Sequence, residues 1–414
     1  MASGKIAIIG GGVIGVCSAY YLARDGWDVT LVERDDIAAG ASYGNAGLVV
    51  PSHLVPLAAP GVWVQGIKWM RDPESPFYIK PRVNGSLTRW LWEFRGHCND
   101  KNVDRGLPVL NALSRLSFRL YEELAQLPGL SFDFEKNGVI MTYLTKSGMD
   151  GARHEMDTVA AAGTAFRELD GDALRALEPA ASKEVYGGFY FEGDGHLTPN
   201  KFVTGLAGVV EGMGVKVLRH TEVLGVKTSS GSIAALETTR GDLEADQYVL
   251  AAGAWSPALA RDLRIRVPIQ PAKGYSITWP KPSFANKIPL LLGEARASIT
   301  PMGDTLRIAG TLELAGMDLS VNRRRVDALR RKASKYIPGL DQLEPLEIWR
   351  GMRPCTPDGL PIIGRSKKLP NLVLATGHAM VGMSLGTGTG KLVAEIAARE
   401  TPSVDTTELA AERF

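Results

Sequence analysis

Lys5-Ile6-Ala7-Ile8-Ile9-Gly10-Gly11-Gly12-Val13-Ile14-Gly15 decides the fold. An apolar strand breaks into a Gly-x-Gly-x-x-Gly turn, and the turn runs directly into a helix. Gly10 permits the tight turn, Gly12 lets the backbone approach a pyrophosphate, and Gly15 lets helix and strand pack closely. The N–H groups at the helix start, around Val13 and Ile14, face phosphate oxygens, and the helix dipole favours their negative charge. A second strand, Val29-Thr30-Leu31-Val32, ends on Glu33, eighteen residues beyond Gly15, where a carboxylate takes both ribose hydroxyls. The stretch predicts an α/β, doubly wound, Rossmann-like dinucleotide-binding domain. Glu33 would repel a 2′-phosphate, so NADP is disfavoured, while NAD and FAD both fit.

The 414 residues allow two or three domains, one of them interrupted by the others. A hydrophobic fraction of 45% and a charged fraction of 22% suit an ordinary globular enzyme, and a net charge of +2 makes no case for nucleic acid. Cys17, Cys98 and Cys355 show neither pairing nor metal spacing, which suits a reducing compartment. The histidines are scattered and predict no metal site. No apolar run approaches the roughly 18 residues that a membrane span needs.

Residues 34–50 follow the second strand and are small and polar, as a loop wrapping a cofactor must be, a plain surface loop being the simpler reading of this stretch alone. Trp63, Trp69, Trp90 and Trp92 then crowd into residues 51–100 with Phe77, Tyr78 and Phe94. Lys68, Arg71, Lys80, Arg82, Arg89 and Arg95 lie between them, and prolines, Pro73 among them, cut the stretch into short pieces. Aromatic packing against the core is the expectation, with an interfacial surface as the alternative. Leu110, Leu113, Leu116, Leu120 and Leu124 predict a helix over 106–127. Thr198 and Pro199 start another that runs to about Met213. A buried strand ending in Ala251-Ala252-Gly253 puts its smallest residues at the sheet's carboxyl end, where ligands of such sheets bind. A basic helix from about Asn322 to Ile337 buries Val326, Leu329, Ala333 and Tyr336 and is expected to solvate its arginines and lysines, an anionic membrane being the alternative. Glycines from Gly382 to Gly390 open the last helix, a second positive end that suits an electron-rich atom.

Five separated segments share one pattern: Gly10–Gly15 with Glu33, the Gly40–Gly47 loop, His220–Val226, Val249–Trp255 and Arg353–Gly390. Together they resemble the flavoprotein superfamily of D-amino acid oxidase, glycine oxidase and sarcosine oxidase. The short words Tyr43-Gly44-Asn45-Ala46-Gly47, Ala58-Ala59-Pro60-Gly61, Lys68-Trp69-Met70 and Lys273-Gly274-Tyr275-Ser276 are most similar to the bacterial D-amino acid dehydrogenase small-subunit family. The resemblance implies FAD rather than NAD. It implies an FAD-binding domain from residues 1–84, 197–266 and 347–414, and an α+β substrate domain on a mixed sheet from 85–196 and 267–346. The implied FAD contacts are Gly10, Gly12, Val13, Ile14, Gly15, Glu33, Arg34, Ser42, Asn45, Ala46, Gly47, Leu48, Val223, Ala252, Gly253, Gly382, Ser384, Gly386 and Thr387.

Met352-Arg353-Pro354 matches the family position of the arginine that holds the substrate carboxylate. An arginine is apt there, since its planar fork binds a carboxylate bidentately. Some relatives attach the flavin through a cysteine five residues before the Thr-Pro-Asp threonine; here that position is Gly351, so non-covalent FAD is expected. Glycine oxidase carries a substrate tyrosine in the strand that here reads Ala297-Ser298-Ile299, and Tyr275 is the substitute. His53 and His378 are expected near the mouth of the site, with a core or loop role as the plainer reading of each.

The implied reaction is oxidative deamination of a D-amino acid. The α-hydrogen leaves as hydride to the flavin, and water turns the imino acid into a 2-oxo acid and ammonium. Hydride transfer from a neutral amine requires no general base. Oxidation of secondary amines such as D-proline, hydroxyproline or sarcosine is the alternative, and a non-catalytic FAD-binding subunit is the rival from another class. The family words imply a quinone or dye acceptor, a cytoplasmic location and peripheral contact with the inner face of the cell membrane, and an oligomer is compatible with them.

Overall fold

The computed structural model describes residues 4–53, 55–70, 72, 74–82 and 84–414. Arg71 and Pro73 lie outside the described residues. The opening strand Lys5–Ile9 sits in the middle of a six-stranded sheet. The sheet runs Ile362–Arg365, Leu372–Thr376, Gln247–Leu250, Lys5–Ile9, Asp28–Val32, Lys216–Leu218, and only the Ile362–Arg365 pairing is antiparallel. Parallel strands need crossovers, and the helix Val13–Arg24 supplies the first. The helices Pro199–Gly212 and Gly386–Ala398 pack on it, sharing a core with Val16, Leu206, Leu392 and Val393. Helix packing uses up the glycines of the last helix. A Cβ at Gly386 would lie 2.7 Å from Val13 Cγ2, and one at Gly390 would lie 2.5 Å from the Cys17 backbone.

The second sheet has nine strands. Its main path is Glu347–Cys355, Gln270–Pro280, Thr305–Leu314, Ala297–Met302, Leu290–Leu292, Val139–Tyr143, Gly187–Phe191, Arg167–Asp170, with Phe77–Ile79 added beside Thr305–Leu314. Side chains alternate faces along each strand. Tyr275, Ile277, Trp279, Ile299 and Ile308 turn to the helix Arg323–Ser334 and pack with Val326, Leu329 and Ala333. Gly274, Ser276, Arg307 and Ser298 alternate to the opposite face. From there Arg307 reaches the loop after the second strand, with Nη1 donating to Tyr43 O at 2.9 Å and Asn45 O at 3.1 Å.

Three stretches group differently from the sequence-derived domain ranges. The helix expected over 106–127 starts at Asp100, where Asn99 Oδ1 accepts the Asn102 N–H. Its leucine face joins the core of the six-stranded sheet although 85–196 was assigned to the substrate domain. Phe77–Ile79 and Glu347–Cys355, both assigned to the cofactor domain, are strands of the nine-stranded sheet.

The basic helix departs in part from its expectation. Arg323, Arg324, Arg331 and Lys335 are exposed, as a solvated face requires, but the other cations turn to protein. Arg325 is 3% exposed and meets Glu313 at 2.6 Å, Arg331 pairs with Glu74 at 2.9 Å, and Lys332 Nζ donates to Glu74 O. Arg330 donates to the carbonyls of Asp341 and Leu343. The helix clamps the chain around Glu74. The aromatic stretch divides: Trp90 and Phe94 stack and are buried, whereas Trp92 is 73% exposed. The short helix Val62–Trp69 has no buried residue, and Val64, Ile67 and Met70 face outward.

Candidate active site

The glycine turn and the turn after Gln247–Leu250 lie side by side at the carboxyl end of the six-stranded sheet, joined by Ala251 N donating to Ile9 O at 2.9 Å. A Cβ at Gly15 would lie 1.8 Å from Gly10 O, and one at Gly10 would lie 2.6 Å from Ala251 O. These two glycines are consumed by packing. Gly12 differs: a Cβ there would meet only Ser42 Oγ, at 3.3 Å, so the space before the turn is open. Ser42 Oγ accepts the Val13 N–H at 2.9 Å and marks the helix start. Glu33 accepts from Gly11 N at 2.6 Å and Asp35 N at 2.8 Å, one bond on each oxygen, and each oxygen keeps a second lone pair for a ribose hydroxyl. Thr221 N donates to Glu33 O at 2.9 Å, which brings Val223 close to that end. Arg34 lies over Trp255, 5.0 Å from the ring. An open phosphate position, a carboxylate with spare acceptors and the small Ala252-Gly253 corner fit a dinucleotide.

The wrapping loop reaches the nine-stranded sheet. Asn45 Oδ1 accepts the Gly47 N–H at 2.9 Å, and Gly47, at φ +72°, turns the chain into Leu48–Val49. A Cβ at Gly44 would lie 2.1 Å from the Trp349 ring, so that indole sits directly under the loop. Ser384 Oγ accepts the Val50 N–H at 2.9 Å and ties the loop to the turn before the last helix. Gly382 lies in that turn, next to His378. Thr387 places its hydroxyl elsewhere: it donates to Ser117 O at 2.8 Å inside the core. Gly386 and Thr387 therefore offer backbone, not side chain, to a ligand at this end.

Arg353 lies on Glu347–Cys355 opposite Ala272, deep in the protein yet only half-buried, so it borders an internal space. Nη1 donates to Thr311 O at 2.9 Å. Among the described residues no carboxylate pairs with it, and burial lowers its pKa from the usual 12.5. Ala379 N donates to Pro354 O at 3.0 Å, so the Gly377–Leu385 turn runs beside Arg353. These contacts link the wrapping loop, Trp349, this turn and Arg353 into the candidate site.

Two expected partners are not there. Tyr275 belongs to the helix-facing core: it is 1% exposed, with its hydroxyl 3.2 Å from Glu313 Oε2 and accepting the Asn322 N–H. Strands Gln270–Pro280 and Glu347–Cys355 pair without a register break. Arg353 thus shares the face of Ala272, Gly274 and Ser276, and Tyr275 points the other way. His53 is also misplaced. Its ring meets Phe191 edge-on, 6.5 Å away, on a strand six places from that of Arg353. Burial lowers its pKa, and Ser52 Oγ lies 3.3 Å from Nδ1. His378 is a core residue, its Nε2 3.0 Å from Thr389 Oγ1 and its pKa lowered to about 3 by burial. The sequence reading missed Trp349, Arg307 and Thr311. Gly274 was not assigned to the site either, although it lies within the word Lys273-Gly274-Tyr275-Ser276.

The family model described as FAD dependent oxidoreductase matches residues 5–396. A D-amino acid dehydrogenase of Granulibacter bethesdensis is 33% identical over 416 residues, covering 99% of each chain. One of Cereibacter sphaeroides is 33% identical over 417 residues, covering 99% of this chain and 95% of its own. Among solved structures, glycine oxidase from Geobacillus kaustophilus superposes with a TM-score of 0.80 at 23% identity over 99% of both chains. L-Proline dehydrogenase from P. horikoshii superposes with a TM-score of 0.79 at 20% identity, covering 99% of this chain and 97% of that one. These two likenesses speak to the fold alone. Open space beside Gly12, a carboxylate with spare acceptors at Glu33 and a match over nearly the whole length lead to one conclusion: the chain belongs to the FAD dependent oxidoreductase family.

Proposed function

We propose that the chain oxidises D-amino acids to 2-oxo acids and ammonium with non-covalently bound FAD. The observation that carries the substrate reading is Arg353, a desolvated cation that borders an internal space and has one backbone partner but no carboxylate among the described residues. Leaving such a charge unpaired is costly, and an α-carboxylate is the partner its fork fits. The names of relatives at 33% identity support the D-series. FAD, when bound, supplies the two-electron acceptor for the substrate's Cα–H bond. The chain's part is positioning: Gly12, Ser42 and Glu33 would hold the cofactor's phosphates and ribose, the loop through Asn45, Ala46, Gly47 and Leu48 would hold its far end, and Arg353 would orient the substrate. Cys355 is buried, its pKa raised to about 12, which leaves its thiol protonated and unsuited to attack on a flavin.

Electrons pass to a quinone at a membrane surface in this reading. The Val62–Trp69 helix, with Met70 and Trp92, offers exposed apolar side chains beside Lys68, Arg89 and Arg95. No helix of the described residues is long and apolar enough to cross a membrane. The test is a screen of D-amino acids, their L-forms and cyclic imino acids with a dye acceptor, using the isolated chain. Turnover of D-forms alone is the expected result. Turnover confined to secondary amines, or none at all with FAD bound, would replace it with one of the two rivals.

A further inference from the structure

The seat of Arg353 is built by two residues with no other evident task. The guanidinium lies flat over Gly274. A Cβ there would stand 1.7 Å from Nη1, 2.4 Å from Cζ and 2.5 Å from Nη2, so any side chain evicts the group. Gly274 has an ordinary backbone conformation, with no positive φ that would call for glycine. Its missing side chain is needed for the arginine.

On the far side of Gly274 the strand Thr305–Leu314 is irregular. Tyr275 stands opposite Gly310 and Lys273 opposite Glu313, so two steps on one strand match three on the other. The extra residue makes a β-bulge, a device that re-aims a group next to a site. Thr311 occupies it with φ +65°, a left-handed conformation that β-branched residues rarely adopt. The result is that Thr311 O faces Arg353 Nη1 at 2.9 Å. Both sides of the bulge are fixed. A Cβ at Gly310 would lie 2.9 Å from both Ala297 Cβ and Leu329 Cδ1. Glu313 is held by Arg325 at 2.6 Å and Lys273 at 3.4 Å, all three nearly fully buried. Strain of this kind persists only where the surroundings over-determine it.

We infer that Gly274 and Thr311 are positioning residues for Arg353: the glycine is the seat, and the strained threonine's carbonyl is the tether that takes one N–H and aims the rest of the fork at the substrate carboxylate. This rests on the carboxylate role proposed for Arg353. One tethered N–H leaves four donors, enough for a bidentate pair.

The experiment is a double-mutant cycle on the FAD-loaded enzyme with Gly274→Ala, Arg353→Ala and the pair, reading KM and kcat for a D-amino acid and for its amide, which lacks the negative charge. Gly274→Ala is expected to raise KM for the acid at least tenfold, change kcat less and leave the amide unaffected. In the Arg353→Ala background it should add nothing. Effects that multiply, or a normal KM in Gly274→Ala, overturn the inference. A normal KM in Arg353→Ala overturns the carboxylate role itself and is separately visible. Thr311→Gly keeps the carbonyl and admits the positive φ, so it should leave KM for the acid near the parent value. Thr311→Pro, whose ring forbids a positive φ, should turn the carbonyl away and raise KM for the acid several-fold with the amide unaffected; it serves if Gly274→Ala does not fold, and an unchanged KM there also overturns the inference.

Discussion

Arg353 donates one N–H to Thr311 O, and among the described residues the rest of its fork has no hydrogen-bond or ion-pair partner. Arg353→Ala should raise KM for D-amino acids by ~10- to 100-fold, since a charge-assisted hydrogen bond is worth roughly 1.5–3 kcal/mol, with FAD still bound. Lysine should rescue only in part, because a point charge cannot reproduce the fork. Kinetic constants and the flavin absorbance of each variant decide it, and near-normal kinetics in the alanine variant would refute the role. Gly12→Val should purify colourless. The open space beside Gly12 is where that side chain would go, whereas Gly10 and Gly15 are already packed against backbone. Retained yellow flavin would remove Gly12 from the phosphate site. These two residues were legible in the sequence because each lies in a motif with a fixed local geometry. Tyr275 was not, because its face depends on register: strands alternate every residue, and the partner strand lies some seventy residues away, with Tyr275 opposite Arg350.

Among the elements, two helices show what composition leaves open. The basic helix Arg323–Ser334 exposes Arg323, Arg324 and Arg331 but turns Arg325 and Lys332 to Glu313 and the Glu74 segment. The Val62–Trp69 helix, with few charges, has no buried residue. Charge density along a sequence does not reveal which carboxylates and carbonyls a fold will bring against it, so this division was not readable beforehand. The consequence is measurable with vesicles containing anionic lipid. Ile67→Asp combined with Val64→Asp should reduce co-sedimentation several-fold while dye-linked turnover in solution stays unchanged. Removing the charges of Arg323 and Arg324 should matter less. The remaining binding should weaken with salt, as the contribution of Lys68, Arg89 and Arg95 is screened. Equal vesicle binding by the double variant and the parent would remove this helix from any membrane contact.

At the scale of the whole molecule, the glycine motif made the six-stranded sheet readable, while the nine-stranded one depends on pairings between distant segments that no local pattern encodes. Asp194 is part of what joins the two. It follows the strand Gly187–Phe191, and its carboxylate accepts from Ser52 N at 3.1 Å and Ser52 Oγ at 2.5 Å, on the loop leading from the cofactor side. Burial outweighs those bonds and pushes its pKa up from 3.8 to about 7. A folded pKa above the unfolded one means that the folded state holds the proton more tightly. Asp194 therefore stabilises the fold fully below about pH 4, and this is lost as pH rises through about 7. His196 and His378 act in the opposite sense. Burial lowers them from 6.5 to about 4 and about 3, so their contribution is present above about pH 6.5 and is lost as pH falls toward those values. Between pH 4 and 6.5 the two trends partly cancel. Asp194→Asn keeps the shape, with the amide oxygen accepting from Ser52 N and the amide N–H donating to Ser52 Oγ, and removes only the titration. The melting temperature of the FAD-loaded variant, relative to the parent, should therefore climb steadily from pH 5 to pH 7 and level off above it. In the variant alone, acidification should show the histidine slope undiluted. A difference between the two proteins that stays constant across that range would mean that Asp194 is ionised in the folded state throughout, held by Ser52 rather than neutralised by its burial.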